Sequence, residues 1–109
     1  MKLPKGFGGQ GLGGALAKAQ QAMARAQNLE AELANARIPV DKGPVKAVMS
    51  GNGELMSISL DKSVVDPEDI ESLEDLIVSA IRDGYQKSLD LRAEKVEEIK
   101  KDTGLDLPF

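Results

Sequence analysis

Two long stretches of helix-forming residues constrain this 109-residue chain more than any other feature. The first covers residues 12–37 and contains no proline; the second covers residues 67–101 and is interrupted only by Gly84. Leucine, alanine, glutamine, glutamate and lysine are frequent in them, and these residues have high helix propensity. We therefore expect two helices of about 26 and about 35 residues, roughly 39 and 50 Å long.

The ends of the second helix are marked by characteristic residues. Asp66 is an N-cap type, and Pro67 is favoured at the first helical position. Lys100 and Lys101 suit the negative end of the helix dipole, and Gly104 suits a helix stop. The sequence therefore predicts a helix from about Asp66 to Lys101.

Each predicted helix carries a narrow apolar stripe with one charged interruption. In the first helix the stripe is interrupted by Glu30, beside which Leu29 stands, and in the second Arg92 occupies a stripe position. The first stripe consists of Leu12, Leu16, Ala19, Met23, Ala26 and Leu33, and the second of Val78, Ile81, Tyr85, Leu89, Val96 and Ile99. Narrow stripes at this spacing are typical of helices that pack side by side.

Between the helices the pattern changes to short strands separated by turn residues. Residues 45–50 and 54–60 alternate apolar and polar side chains, and Gly51-Asn52-Gly53 between them favours a tight hairpin turn. A third short strand is expected at residues 38–40, with Pro39 restricting it to an edge or a bulge. Strands of about six residues span only about 20 Å. The far end of the second helix must therefore pack against the first helix or against a second copy of the chain.

Composition argues against several classes of protein. The chain has no cysteine and no histidine, so disulfides, thiol nucleophiles, Cys/His zinc sites and imidazole bases are excluded. It has no run of about 18 apolar residues and no secretory leader pattern, so a cytoplasmic protein is expected. The many carboxylates fall mostly on outward helix faces, and Gly6-x-Gly8-x-x-Gly11 lacks the preceding strand of a dinucleotide-binding motif. We expect no enzyme activity, cofactor or small-molecule substrate.

The net charge of −4 is distributed unevenly. Residues 1–37 carry five basic and two acidic side chains, whereas residues 67–109 carry six basic and twelve acidic ones. A polyanion would therefore meet local positive charge only in parts of the molecule. No helix-turn-helix, zinc-finger or basic-zipper pattern is present, and aromatic residues for base stacking are scarce. Any nucleic acid bound would be held through its phosphates.

The order of these motifs resembles the YbaB/EbfC family of bacterial nucleoid-associated proteins over nearly the full chain. A glycine-rich basic N-terminus leads into the helix Leu16-Ala17-Lys18-Ala19-Gln20-Gln21-Ala22-Met23, and a strand then leads into Gly51-Asn52-Gly53-Glu54. The other matching segments are Ile58-Ser59-Leu60-Asp61, Val65-Asp66-Pro67-Glu68-Asp69, Leu73-Glu74-Asp75-Leu76-Ile77-Val78-Ser79-Ala80-Ile81 and Leu107-Pro108-Phe109. Gly84 departs from the family, whose members more often have a small residue such as alanine there.

The resemblance implies an α+β fold, with an α-β-β-β-α protomer, a small antiparallel sheet and a tweezer-like homodimer. The six glycines of residues 1–14 predict a flexible basic arm there, and we expect one domain at 15–102 and a tail at 103–109. The resemblance also implies binding of double-stranded DNA with little sequence preference, at the nucleoid. The basic residues expected to contact DNA are Lys2, Lys5, Lys18, Arg25, Arg82, Lys87, Arg92 and Lys95. The apolar residues expected at the dimer interface are Val45, Ala47, Met49, Met56, Ile58, Leu60, Tyr85 and Leu89.

A protein-interaction module is the main alternative. In that case the dimer cleft or the apolar stripes would grip a partner protein, and DNA binding would be incidental. The net acidity of the chain favours this alternative.

Overall fold

The computed structural model describes residues 10–104 of the chain. Its elements are helix α1 (Gln10–Asn35), strands β1 (Arg37–Lys42), β2 (Val45–Ser50) and β3 (Leu55–Leu60), and helix α2 (Ile70–Thr103). This α-β-β-β-α order confirms the predicted α+β fold. Helix α1 begins inside the segment 1–14 that the sequence predicts to be an arm, and the rest of that arm and residues 105–109 of the predicted tail lie outside the described residues.

The chain divides into two compact units. Among the described residues, one comprises residues 10–29 and 94–104, and the other is Glu30–Ala93. Both long helices therefore contribute residues to both units, whereas the whole sheet belongs to the second unit. The predicted boundaries of one domain at 15–102 stay a prediction.

The sheet is antiparallel, with β2 in the centre and β1 and β3 at the two edges. Pro39 lies in β1, at an edge as predicted, where its missing N–H does not interrupt a central strand. The pairing of β2 with β3 is irregular at Val48 and Met49, which face Ser57 and Leu55. Met56 is therefore an extra residue in β3, and such a bulge increases the local twist of an edge strand.

The β2–β3 hairpin forms where the sequence predicts it. The Ser50 N–H donates to the Glu54 carbonyl oxygen at 2.8 Å, and the Gly53 N–H donates to the Ser50 carbonyl oxygen at 3.1 Å. Of the three turn residues only Gly53 has a positive φ, at +90°. A residue with a side chain would be strained there, so glycine is required at that point of the turn.

The core of the second unit lies between one face of the sheet and the first half of α2. Successive strand residues point to opposite faces, so the alternation in β2 places one set of side chains inward. The fully buried members of this core are Val40, Val45, Ala47, Met49 and Ala80. Partly buried side chains packed around them are Ile38, Val64, Leu73, Leu76 and Ile77.

Helix α1 buries a different line of residues from the one the stripe predicts. Leu16 and Met23 are 57% and 63% exposed, whereas Ala22 and Leu29 are almost fully buried. Leu16 and Met23 of the predicted stripe are therefore not covered within the described chain. Ala22 and Leu29 are seven residues apart, and the same spacing continues to Ala36. On the helix surface this line lies on one side of residues 19, 26 and 33, and residue 30 lies on the other side. Glu30, which lies on the same line as Leu16 and Met23, is exposed as well.

Helix α2 begins later than the sequence predicts. Its first residue is Ile70, because Asp66 forms a local turn in which its side chain accepts from the Glu68 N–H at 3.0 Å. Asp69 is the residue next to the helix, and its side chain accepts from the Ser72 N–H at a long 3.4 Å. At the other end Gly104 has φ +68° and its N–H donates to the Lys100 carbonyl oxygen at 2.7 Å, as expected for a helix stop.

Candidate nucleic-acid interface

The basic residues of α1 share one side of the helix. Lys18 and Arg25 are seven residues apart, which is close to two full helical turns. Lys18 is exposed and forms no ion pair with a described residue. Arg25 is different, because its Nη1 lies 2.5 Å from Asp102 Oδ2 in the same unit. The two cations therefore differ in how readily each can reach an external anion.

The basic residues of α2 in the second unit point in different directions. Arg82, Lys87 and Arg92 are spaced by five residues, so each is rotated by about 140° from the one before. Arg82 is exposed, with no ion pair to any residue between 10 and 104. Lys87 Nζ lies 3.4 Å from Asp83 Oδ2, one turn earlier. The structure thus gives α2 separate positive points rather than one basic face.

Arg92 forms the most complete ion pair of the described chain. Its Nη1 and Nη2 donate to Glu30 Oε1 and Oε2 at 2.6 and 3.0 Å. Two parallel bonds of this kind match the fork of a guanidinium to the two oxygens of a carboxylate. The hydrogen bonds from Arg92 lower the pKa of the Glu30 carboxyl, and those to Glu30 raise the pKa of the Arg92 guanidinium. Both groups are therefore charged at neutral pH.

The remaining basic residues of the predicted set are less informative. Lys95 is partly buried and already engaged in an interaction within the molecule. Lys2 and Lys5 lie outside the described residues.

Sequence reasoning missed the carboxylates that hold Arg25 and Arg92, although a signal for one of them was present. Glu30 interrupts the apolar stripe of α1, and Arg92 occupies a stripe position of α2. The structure shows that these two interruptions pair with each other. Opposite charges at matching interruptions of two stripes can therefore indicate which helices lie side by side. Asp102 carries no comparable signal, since it is one of many carboxylates in α2.

The predicted dimer-interface residues fall into two groups. Val45, Ala47 and Met49 lie in the protein's own core, at most 3% exposed. The other five are between 39% and 51% exposed, so they are available to a partner: Met56, Ile58, Leu60, Tyr85 and Leu89.

Strand β3 forms an exposed apolar edge. All six of its residues, Leu55–Leu60, are exposed, and none is charged. Natural edge strands usually carry charge or are covered, because an open edge can pair with another strand. Tyr85 lies near the turn that leads into β3, since a Cβ built at Gly53 would be 3.1 Å from its ring carbon Cε2. The edge and this part of α2 together form a surface suited to a protein partner.

The described residues provide little that resembles a catalytic or metal site. Within residues 10–104, no three carboxylates are grouped closely enough to hold a metal ion. The pKa of the Glu30 carboxyl and the pKa of the Asp61 carboxyl both lie below their ordinary values. At Asp61 the cause is hydrogen bonding by Ser63. A general acid would need the opposite shift. No helix in this part of the chain is long and apolar enough to cross a membrane.

Comparison with known proteins shows to which family this chain belongs. The model of the YbaB/EbfC DNA-binding family matches residues 8–103, which is nearly all of the chain. The chain belongs to this family. The resemblance seen in the sequence motifs is thereby confirmed, and the family is one of DNA-binding proteins rather than of enzymes.

Individual relatives and one solved structure are also similar to this chain. A nucleoid-associated protein of Corynebacterium urealyticum is 40% identical over 96 residues, covering 86% of this chain and 91% of that protein. One from Syntrophobacter fumaroxidans is 42% identical over 89 residues, covering 82% and 78%. An uncharacterized protein from Helicobacter pylori, known from a crystal structure, has a TM-score of 0.61 at 27% identity, covering 76% of this chain and 86% of that one.

Proposed function

We propose that this YbaB/EbfC protein binds double-stranded DNA at the bacterial nucleoid, through phosphate contacts and with little sequence preference. The observation that carries this proposal is the match of residues 8–103 to a DNA-binding family. Relatives that are about 40% identical carry the name nucleoid-associated protein, which supports the location.

The placement of the basic side chains supports backbone contacts over base reading. Arg82, Lys87 and Arg92 are spread around α2, so they do not present a set of side chains that one groove could admit. Tyr85 is the only aromatic residue between positions 10 and 104, too few for stacking on successive bases. Separated cations on long helices suit phosphate oxygens, which are the same for every sequence.

The functional form we propose is a homodimer that uses the β3 edge and the neighbouring part of α2. A second copy offers the same uncharged edge, and antiparallel pairing of two identical strands obeys the two-fold symmetry of most dimers. Pairing would give the β3 backbone groups partners and would cover Met56, Ile58 and Leu60. Two copies would also double the number of phosphate contacts without requiring a basic face on either one.

The protein-interaction module remains the second candidate, favoured by exposed apolar residues outside the proposed dimer surface. Val65, Ile70 and Val78 are 53%, 46% and 47% exposed. Residues 67–109 also carry twice as many acidic as basic side chains, which disfavours contact with DNA along much of α2.

Replacing Lys18 and Arg82, the two exposed members of the predicted DNA set that form no ion pair with a described residue, tests the DNA proposal against this alternative. We expect the double variant Lys18→Ala/Arg82→Ala to bind three unrelated duplexes more weakly, by a similar factor for each, in a fluorescence anisotropy titration. Each lost phosphate contact should also reduce the magnitude of the logarithmic salt slope by about 1.

A matched control removes two positive charges elsewhere. Lys46 lies on β2 and Lys62 in the 3-10 turn, both exposed and outside the predicted DNA set. The Lys46→Ala/Lys62→Ala protein has the same net charge as the test variant and is expected to retain more affinity. Equal affinities for wild type and the Lys18/Arg82 variant would favour the protein-interaction alternative.

A further inference from the structure

Two arginines predicted to contact DNA are already bound by carboxylates of the chain itself. Arg92 is held by Glu30 in the second unit, and Arg25 by Asp102 in the first. In each pair one residue comes from α1 and the other from α2, so neither pair is a product of neighbouring positions on one helix. Arginine binds carboxylate and phosphate with the same fork of N–H groups. Glu30 occupies both Nη atoms of Arg92, whereas Asp102 occupies Nη1 of Arg25.

The exposure of the two pairs is nearly the same. The arginine side chains are 33% and 34% exposed, and their carboxylate partners are 60% and 62% exposed. The carboxylate is thus the more exposed member of each pair, and an approaching polyanion would meet a negative charge beside each guanidinium. Ion pairs this exposed contribute little to stability, so they can open readily.

We propose that Glu30 and Asp102 are internal competitors of DNA phosphate, each occupying an arginine until the phosphate displaces it. This inference rests on the proposed DNA binding and deepens it. A closed pair presents no net charge to DNA, and opening it releases one cation while leaving an anion nearby. The pairs therefore weaken backbone binding, which keeps a sequence-independent DNA-binding protein exchangeable.

The experiment compares Glu30→Gln with a charge-matched control. Glutamine keeps the length of the side chain and one acceptor oxygen but removes the charge that binds Arg92. Glu94 is exposed, lies two residues from Arg92 on α2, and forms no ion pair with a described residue. Glu94→Gln therefore makes the same change in net charge close to the same arginine, without removing its partner.

The expected result is an affinity gain that requires Arg92. In anisotropy titrations with one mixed-sequence duplex, Glu30→Gln should bind about two- to five-fold more tightly than Glu94→Gln, the range set by an exposed ion pair. In an Arg92→Ala background the gain from Glu30→Gln should fall to that of Glu94→Gln. Thermal melting of each variant checks that the helices remain folded.

The second pair provides the same test in the other unit. Asp102→Asn is compared with Glu98→Gln, one helical turn earlier on α2, in the presence and absence of Arg25. If Glu30→Gln does not fold, the Asp102 series decides the matter.

Several outcomes would overturn the proposal. Equal gains for Glu30→Gln and Glu94→Gln would show that only overall charge matters. A gain from Glu30→Gln that still exceeds that of Glu94→Gln in the Arg92→Ala background would show that Glu30 does not act through Arg92. A loss of affinity in Glu30→Gln would show that the carboxylate positions Arg92 for phosphate rather than competing with it. Wild-type binding distinguishes these results from failure of DNA binding itself: if neither wild type nor any variant binds duplex, both proposals are overturned.

Discussion

Gly84 lies in the interior of α2, where helix propensity alone would favour alanine by about 1 kcal/mol. The packing around it explains why glycine stands there. A Cβ built on Gly84 would overlap Met49 Cγ and lie 2.9 Å from Val40 Cγ2, and both of those side chains are buried in the core. Glycine therefore allows the helix to lie close to the sheet.

We expect Gly84→Ala to destabilise the protein by about 1–3 kcal/mol, the usual cost of overpacking a core. The matched control is Gly14→Ala in α1, where nothing lies within 4 Å of the new methyl group. That change should stabilise the protein by up to about 1 kcal/mol. Urea denaturation measures both, and a stabilising effect of Gly84→Ala would contradict the close-packing account.

At Glu30 the lowered pKa predicts a specific dependence of stability on pH. The carboxyl has a lower pKa in the folded state than its ordinary value of 4.5, so the pair with Arg92 contributes stability above about pH 4.5. That contribution is lost as the pH falls through the lowered folded-state pKa. Because the pair is exposed, the contribution is at most about 1 kcal/mol.

The measurement is urea denaturation of wild type and Glu30→Gln at pH 6 and at pH 3. Wild type should be the more stable at pH 6, and the difference should shrink at pH 3. Glu94→Gln serves as the control and should show little difference at either pH. If the difference in stability between wild type and Glu30→Gln grew on acidification, the assignment of a lowered pKa to Glu30 would be contradicted.

At the scale of elements, β3 is the part of the sheet that a second copy is proposed to cover. Met56 is the extra residue of its bulge and is 46% exposed, so a lysine there can be accommodated by the monomer. We expect Met56→Lys to shift the proposed dimer towards monomer in sedimentation velocity, because the lysine places a charge on the uncharged edge that would pair with the second copy.

The control for this change is Met23→Lys, which introduces the same charge on α1 at a residue that is 63% exposed and outside the proposed dimer surface. Its oligomeric state should match that of wild type. If Met56→Lys remains as dimeric as Met23→Lys, the β3 edge is not the dimer interface.

Secondary-structure elements could be predicted from sequence wherever residues close together in the chain determine them. Strand β2 and the hairpin follow from alternation and turn residues, and the structure places β2 at Val45–Ser50 as predicted. The buried line of α1 could not be chosen in the same way, since residues 16 and 23 fit the seven-residue spacing as well as residues 22 and 29. The start of α2 was misplaced because the Asp66 side chain caps a turn instead of the helix.

The candidate site was less predictable than the fold for a related reason. Sequence identifies cations, but their use depends on which carboxylates the fold brings to them. Arg25 and Arg92 receive acidic partners from the other helix, whereas Arg82 receives none among the described residues. Ion pairs of this kind depend on the packing of distant segments, which charge counts along the chain do not contain.

On the scale of the whole molecule, a net charge of −4 is compatible with DNA binding only if local cations make the contacts. Binding of this type releases counterions from the duplex, so the affinity must fall as salt is added. It must also be nearly independent of sequence, since phosphates carry no sequence information directly.

The most direct measurement is the affinity of wild type for three unrelated duplexes over a series of salt concentrations. We expect dissociation constants that agree within a few-fold among the duplexes. A plot of the logarithm of affinity against the logarithm of salt concentration should have a slope of about −2 or steeper, since Lys18 and Arg82 each contribute about −0.9. A slope near zero, or a preference of about a thousand-fold for one duplex, would contradict sequence-independent binding through phosphates.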